Sequence, residues 1–244
     1  MTRVKFNHSK KLNPVLMMVI SGSTNAGKTH LLFNMLTTSD ILDFNHLQIF
    51  TTTPEQIYYQ LLKHGFDNNL SKETIQKLHD LYENDEEIEL DDIPSMCKEA
   101  SRSEDQKSDI TVRLTNNLNE FHDPAQLNKS KKNLVIFDDC VNNKDQTVQK
   151  TFFTRGRHNS CNCIYLTQSF YGLNGSDIRK NANCFILFGM NQRALTQILQ
   201  DIDVGDREEF KRISQIQWNN PNEHKYVFVN IHKPTSERIS TDIF

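Results

Sequence analysis

No run of eighteen apolar residues occurs anywhere in the chain, so it offers no segment of membrane-spanning length. The opening residues Met1-Thr2-Arg3-Val4-Lys5-Phe6 lead into a polar, basic stretch instead of the apolar core of a signal peptide. The expectation is a soluble intracellular protein with no membrane partner. An excess of positive charge is also missing: 28 Lys and Arg stand against 31 Asp and Glu, a net charge of −3. Nothing global therefore points to nucleic acid, and a DNA site would have to be a local basic patch repeated around a ring. A disulfide framework is absent too. The five cysteines are odd in number and irregular in spacing. Cys161 and Cys163 alternate in one strand-like run and Cys184 lies in another, without the C-x₂-C pairs of a zinc site. They are expected to be buried reduced thiols. No internal repeat is visible. With 244 residues the chain suits one large domain or two small ones. The motifs below span most of it and favour one domain over 1–244.

What is present begins with Gly22-Ser23-Thr24-Asn25-Ala26-Gly27-Lys28-Thr29. An apolar run, Val15 to Ile20, precedes it, and the helical pattern Leu31, Leu32, Met35, Leu36 follows. Strand, glycine loop and helix are the context that a phosphate-binding P-loop requires. Gly22 and Gly27 permit backbone angles and close approaches that a Cβ would block. The loop amides and the helix N-terminus form an anion cradle. Lys28 is placed to reach the β- and γ-phosphates and the Thr29 hydroxyl to bind Mg²⁺. A glycine turn with a surface lysine is the structural alternative.

Residues 1–14 read as a basic, polar lead-in that docks on a neighbour. The core strand is expected over about 15–21, with its helix running to about Thr37. Leu47–Phe50 is a short strand, and Thr53 and Pro54 read as the N-cap and first position of a helix carrying Ile57, Tyr58, Leu61 and Leu62. A second helix opens at Ser71. Seven acids and no base lie between Glu83 and Asp92. The polar stretch over about 83–110 is expected to be an insertion or flexible loop, either a solvated surface or a regulatory, partner-binding one. Strands follow at 133–138, 161–167, 184–188 and 226–231, the last forming a possible hairpin with Arg238-Ile239-Ser240. Helices are expected over 192–199 and 206–216. Strands alternating with helices behind a P-loop predict an α/β fold, a mostly parallel sheet with helices on both faces.

Leu134-Val135-Ile136-Phe137-Asp138-Asp139 describes a buried parallel strand with two acids at its C-terminal tip, the edge where open α/β sheets bind ligands. Asp138 is the candidate Walker B carboxylate for Mg²⁺, opposite Thr29. Asp139 suits a base that polarises an attacking water, and a capping or exposed acid is its plainer reading. Gln168 ends the strand Cys161–Thr167, where its amide can sense the γ-phosphate; an ordinary polar strand end is the alternative. Arg155 and Arg157, in Arg155-Gly156-Arg157-His158, read as phosphate-directed, nucleic-acid-contacting or merely solvated, and Arg179 has the same ambiguity.

This order of motifs resembles the FtsK–HerA superfamily of P-loop ATPases. It is most similar to the poxvirus-type genome-packaging ATPases of large DNA viruses, virophages and Polinton-like elements, over about residues 12–200. The resemblance implies a RecA-like ATPase that binds ATP and Mg²⁺ and assembles as a homo-oligomeric ring, a hexamer. It implies pumping of double-stranded DNA into a preformed capsid, with a capsid or portal-vertex protein as partner. The location implied is the site of virion assembly inside the host, in a cytoplasmic factory, the nucleus or the virion itself. Lys28 and Thr29 would hold nucleotide and Mg²⁺, Asp138 and Asp139 would be the Walker B pair, and Gln168 the polar sensor. Bacterial relatives usually carry glutamate as the second acid, so Asp139 is one methylene shorter. A trans-acting arginine is expected from Arg155 or Arg157, with Arg179 as a cis sensor. Two other classes compete. A GTPase switch would carry Asn-Lys-x-Asp, whereas Asn143-Lys144-Asp145-Gln146 lacks the spacer. A small nucleotide or polynucleotide kinase would carry an arginine-rich lid, whereas the long insertion here is acidic.

Overall fold

The computed structural model describes residues 4–105, 107–121, 123–140, 145–172 and 176–244. In chain order its strands are β1 (Met17–Ser21), β2 (His46–Thr51), β3 (Thr111–Thr115), β4 (Asn133–Asp138), β5 (Cys161–Thr167), β6 (Cys184–Phe188), β7 (Tyr226–Asn230) and β8 (Ile239–Ser240). Its helices are α1 (Lys28–Thr37), α2 (Ile57–Asp67), α3 (Lys72–Asn84), α4 (Ile93–Ala100), α5 (Thr147–Arg155), α6 (Ser176–Asn181), α7 (Gln192–Asp201) and α8 (Arg207–Gln217). The strands form one sheet in the order β3-β2-β4-β5-β1-β6-β7-β8. β1 to β6 are parallel, and β7 and β8 close the far side as an antiparallel hairpin.

The central strands read as unbroken apolar runs because both of their faces are covered. Met18 and Ile20 of β1, Leu134 and Ile136 of β4, and Ile164 and Leu166 of β5 point to one layer, packed with Leu32, Met35 and Leu36 of α1 and Leu61 and Leu62 of α2. The alternate residues, Met17, Val19, Val135, Phe137, Cys163 and Tyr165, point to the other, with Phe152 and Phe153 of α5, Ile198 of α7 and Phe210 of α8. All five cysteines are buried free thiols.

The register brings four strand ends to one edge. Ser21 pairs with Thr167, Leu166 with Asp138, and Asp138 with Thr51. The loop-bearing strand β1 and the acid-bearing strand β4 thus flank β5. The opposite edge is pinned by asparagines: Leu16 N donates to Asn162 Oδ1 and Met17 N to Asn183 Oδ1, each at 3.0 Å, and Asn13 Nδ2 donates to Asn230 Oδ1 at 3.0 Å. The described part of the lead-in packs on its own chain, with Phe6 and Leu12 buried and Asn7 N donating to Asp43.

Two expectations need correction. The helix expected from Thr53 and Pro54 begins at Ile57, after the uncapped Gln56. Thr53 N donates instead to the Thr51 hydroxyl and Gln56 Nε2 to the Thr53 hydroxyl, local bonds that hold a turn. The acidic stretch is not all loop. It contains α4, which buries Ile93 and Cys97 in the same layer as α2. No helix among the described residues is long and apolar enough to cross a membrane.

Candidate nucleotide site

The loop between β1 and α1 has the backbone its glycines permit. Gly27, the residue before α1, has φ +91°, and Asn25 has φ +60°. A Cβ on Gly22 would lie 2.6 Å from the Phe188 Cβ of β6, so only glycine fits there. Gly22 N donates to Thr167 O at 3.2 Å, which ties the loop to the tip of β5. Lys28 Nζ donates to Gly22 O at 2.9 Å and Ser23 O at 2.7 Å, so its ammonium lies along the inner rim of the loop. Burial pulls its pKa below the ordinary lysine value, against the opposing pull of Asp138 and Asp139.

Asp138 ends β4 and is only 6% exposed. Burial pushes its carboxyl above the usual range and the charge of Asp139 adds to that, while the hydrogen bond from Tyr59 and the charge of Lys28 oppose it. The Tyr59 hydroxyl donates to Asp138 Oδ2, and the hydroxyls of Thr29 and Thr51 also reach that phenol. Sequence reasoning missed Tyr59. Its only signal was a tyrosine among the apolar residues that α2 turns inward.

Asp139 has left the strand and sits at φ +51°, a conformation that aspartate tolerates better than most residues. Gln168 Nε2 donates to Asp139 Oδ1 at 3.3 Å, and Thr24 Oγ1 donates to Gln168 Oε1 at 3.2 Å. Gln168 therefore bridges the loop and the second acid. Thr52 Oγ1 makes a long contact of 3.5 Å with Asp139 Oδ2. A cavity of 670 Å³ opens over these groups, lined by Thr24 to Leu31 of the loop and α1, by Asp138 and Asp139, and by Gln168. On the β6 side of the loop a second cavity of 820 Å³ shares Thr24 to Ala26 and Gln168 and is walled by Gly189, Arg193, Trp218 and Lys225. Arg193 carries no signal in the sequence that would have marked it.

The three singled-out arginines are not at these cavities. Arg155, at the C-terminal end of α5, is 67% exposed and pairs with Asp123 at 3.3 Å. Arg157 lines a depression with Asn13, Lys180, Asn183 and His232, where β1 and β6 begin. Arg179 is held by Asp201 at 3.3 Å and stacks over Phe170 and Tyr171. The loop, both acids and Gln168 are thus brought together on one edge, and Arg155 and Arg157 lie on the other. Asn143 and Lys144, of the stretch weighed against a guanine-binding motif, lie outside the described residues.

No protein-family model and no curated protein matches the chain. Solved structures share its fold, among them two viral packaging proteins. The genome-packaging NTPase B204 from Sulfolobus turreted icosahedral virus 2, in complex with sulfate, is 15% identical with a TM-score of 0.51, over 93% of this chain and 96% of that one. B204, the DNA-packaging ATPase from Sulfolobus turreted icosahedral virus, is 15% identical with a TM-score of 0.50, over 91% and 94%. At this identity the likeness shows a common fold, the P-loop NTPase sheet, along nearly the whole of both chains.

Proposed function

We propose that this chain is an ATP-hydrolysing motor that moves double-stranded DNA into a preformed viral capsid, acting as a homo-oligomeric ring. The observation that carries this reading is the Thr24–Gln168–Asp139 chain of hydrogen bonds, which links the phosphate loop to the acid beside Asp138. A sensor so placed couples the state of a γ-phosphate to the strand tips. The likeness in fold to two packaging NTPases supports the same reading.

In this reading residues 22–29 cradle the phosphates and Lys28 neutralises the β- and γ-oxygens. The donors suit Mg²⁺: the Asp138 carboxylate and the Thr29 hydroxyl are hard oxygen ligands, and both meet the Tyr59 hydroxyl, which gathers them around one point. Bound there, Mg²⁺ offsets phosphate charge. Asp139 accepts the proton of the attacking water and Gln168 orients it. Arg155 and Arg157, on the far edge of the sheet, serve a neighbouring copy's site, as ring geometry allows. Arg179, already paired and stacked, holds the segment after β5. The ring is hexameric, its other partner is a capsid or portal-vertex protein, and it works where virions assemble.

The test is the ATP hydrolysis rate with and without long duplex DNA, with oligomeric state measured in the same sample. The motor reading expects an oligomer whose hydrolysis is stimulated by duplex DNA, salt-sensitively and with little regard to sequence. A monomer that passes phosphate to a small acceptor and ignores DNA overturns it in favour of a kinase.

A further inference from the structure

Away from the phosphate groups, His79 of α3 is 1% exposed, yet neither of its ring nitrogens has a hydrogen-bond partner. An imidazole so deeply buried with both nitrogens unsatisfied is costly unless something else engages them. Glu83, one turn further along α3, holds Oε1 3.3 Å from His79 Nε2, but out of line for a hydrogen bond. From the facing helix α1, His30 brings its ring to 5.9 Å from that of His79. One donor atom from each of His30, His79 and Glu83 lies within 4.8 Å of the others.

We propose that His30, His79 and Glu83 form a binding site for a borderline divalent cation of the Zn²⁺ class. Two imidazoles and a carboxylate are the donor set such ions take, and all-oxygen ions such as Mg²⁺ disfavour it. Bonds of about 2.0–2.1 Å to a tetrahedral ion put neighbouring donors roughly 3.3 Å apart, which the His79–Glu83 pair already meets. The widest pair has to close by at most about 1.5 Å, within reach of the exposed His30 and Glu83 side chains. Tyr58 supplies the outer support: its hydroxyl lies 3.2 Å from His30 Nδ1, which leaves Nε2 of that ring for the ion. His30 also lines the 670 Å³ cavity, which gives the ion a path in. His30 directly follows Thr29, so the bound ion clamps the first turn of the phosphate-loop helix to α3. This site stands independently of the proposed motor activity.

The experiment titrates the full chain with Co²⁺, read by visible ligand-field bands, and with Zn²⁺ by calorimetry. It is repeated on Glu83→Gln and His30→Gln. Both changes are at exposed positions, and unchanged thermal unfolding in chelator shows that the fold is kept. The expected result is one equivalent bound, with intense tetrahedral Co²⁺ bands that Zn²⁺ abolishes. Each variant should weaken binding by roughly ten- to a hundredfold or more. Absence of binding by the wild type, or binding that neither variant weakens, overturns the proposal and leaves His79 as a histidine packed in an aromatic cluster with Phe33 and Tyr58.

Discussion

The two edges of the sheet are built from different materials. At the C-terminal edge, the ends of β1, β4 and β5 carry the glycine loop, two carboxylates and a bridging glutamine, and the only cation facing them from the loop is Lys28. At the N-terminal edge, buried asparagines fix where the strands begin, and exposed Arg157 and Lys180 make the surface basic. One edge gathers the loop and the acids assigned to the triphosphate in the proposed mechanism, and the other carries arginine and lysine side chains. Neither is a complete hydrolytic site in the proposed mechanism. Within one copy they are separated by the length of the strands. In the proposed ring, the basic edge of one copy would face the phosphate-binding edge of the next.

The largest expected effect breaks this complementarity from the basic side. Arg155→Ala or Arg157→Ala, whichever removes the trans finger, should lower ATP hydrolysis by roughly 10³–10⁵-fold while nucleotide binding persists. Steady-state hydrolysis and equilibrium binding on the same preparations check this. From the acidic side, Asp139→Asn should cost about 10²–10⁴-fold in hydrolysis and leave ATP bound, because an amide cannot take the proton of water. Asparagine accepts a positive φ at least as readily as aspartate, so the +51° backbone should stay as it is, and far-ultraviolet circular dichroism should not change. Lys28→Ala should reduce hydrolysis by at least roughly 10²–10³-fold in a protein that still folds. A folded Lys28→Ala protein at the wild-type rate would remove the phosphate loop from the account.

The smallest effect concerns stability at the basic edge. His8 Nδ1 accepts from Asp43 N at 2.9 Å, and its ring contacts Asn162 near the start of β5. Burial holds it neutral, with its pKa lowered to about 4, although the charge of Asp43 pulls upward. An unfolded histidine protonates near its ordinary value, so between there and about 4 the unfolded chain binds more protons than the folded one. The stability contributed by neutral His8 is therefore full above its ordinary value and lost as the pH falls toward 4. The loss amounts to about 2–3 kcal/mol. Denaturant unfolding at about pH 7 and about pH 4 should show this, and His8→Gln should flatten the dependence by about one proton.

The contrast between the edges also explains what could be read from the sequence. β4, β5 and β6 were legible nearly to the residue because both of their faces are buried, so each stands out as an apolar run between polar ends. The loop and the start of α1 were legible because phosphate binding constrains residue types at fixed spacing. β3 was harder, since it lies at the sheet margin with its side chains alternately exposed and half-covered and only Thr115 buried. α4 was hidden by its acidic surroundings, where only Ile93 and Cys97 are fully buried. Strand order is set by crossovers that sequence periodicity does not encode. For that reason Gln168 could be placed on a strand tip, but its bonds to Thr24 and Asp139 could not be foreseen. Tyr59 was unreadable for a related reason: its partner, Asp138, is 79 residues away.

Mixing two inactive variants tests most directly whether one copy's basic edge completes the next copy's acidic edge. One lacks the base, Asp139→Asn, and the other lacks the arginine, in turn Arg155→Ala, Arg157→Ala or Arg179→Ala. Mixed rings, verified by differential tagging, are assayed for ATP hydrolysis. The account predicts that Asp139→Asn and whichever of Arg155→Ala and Arg157→Ala removes the finger are each nearly silent alone and that activity partly returns when these two are mixed, because some interfaces then pair an intact base with an intact finger. No recovery with any of the three arginines, in rings shown to be mixed, would contradict it.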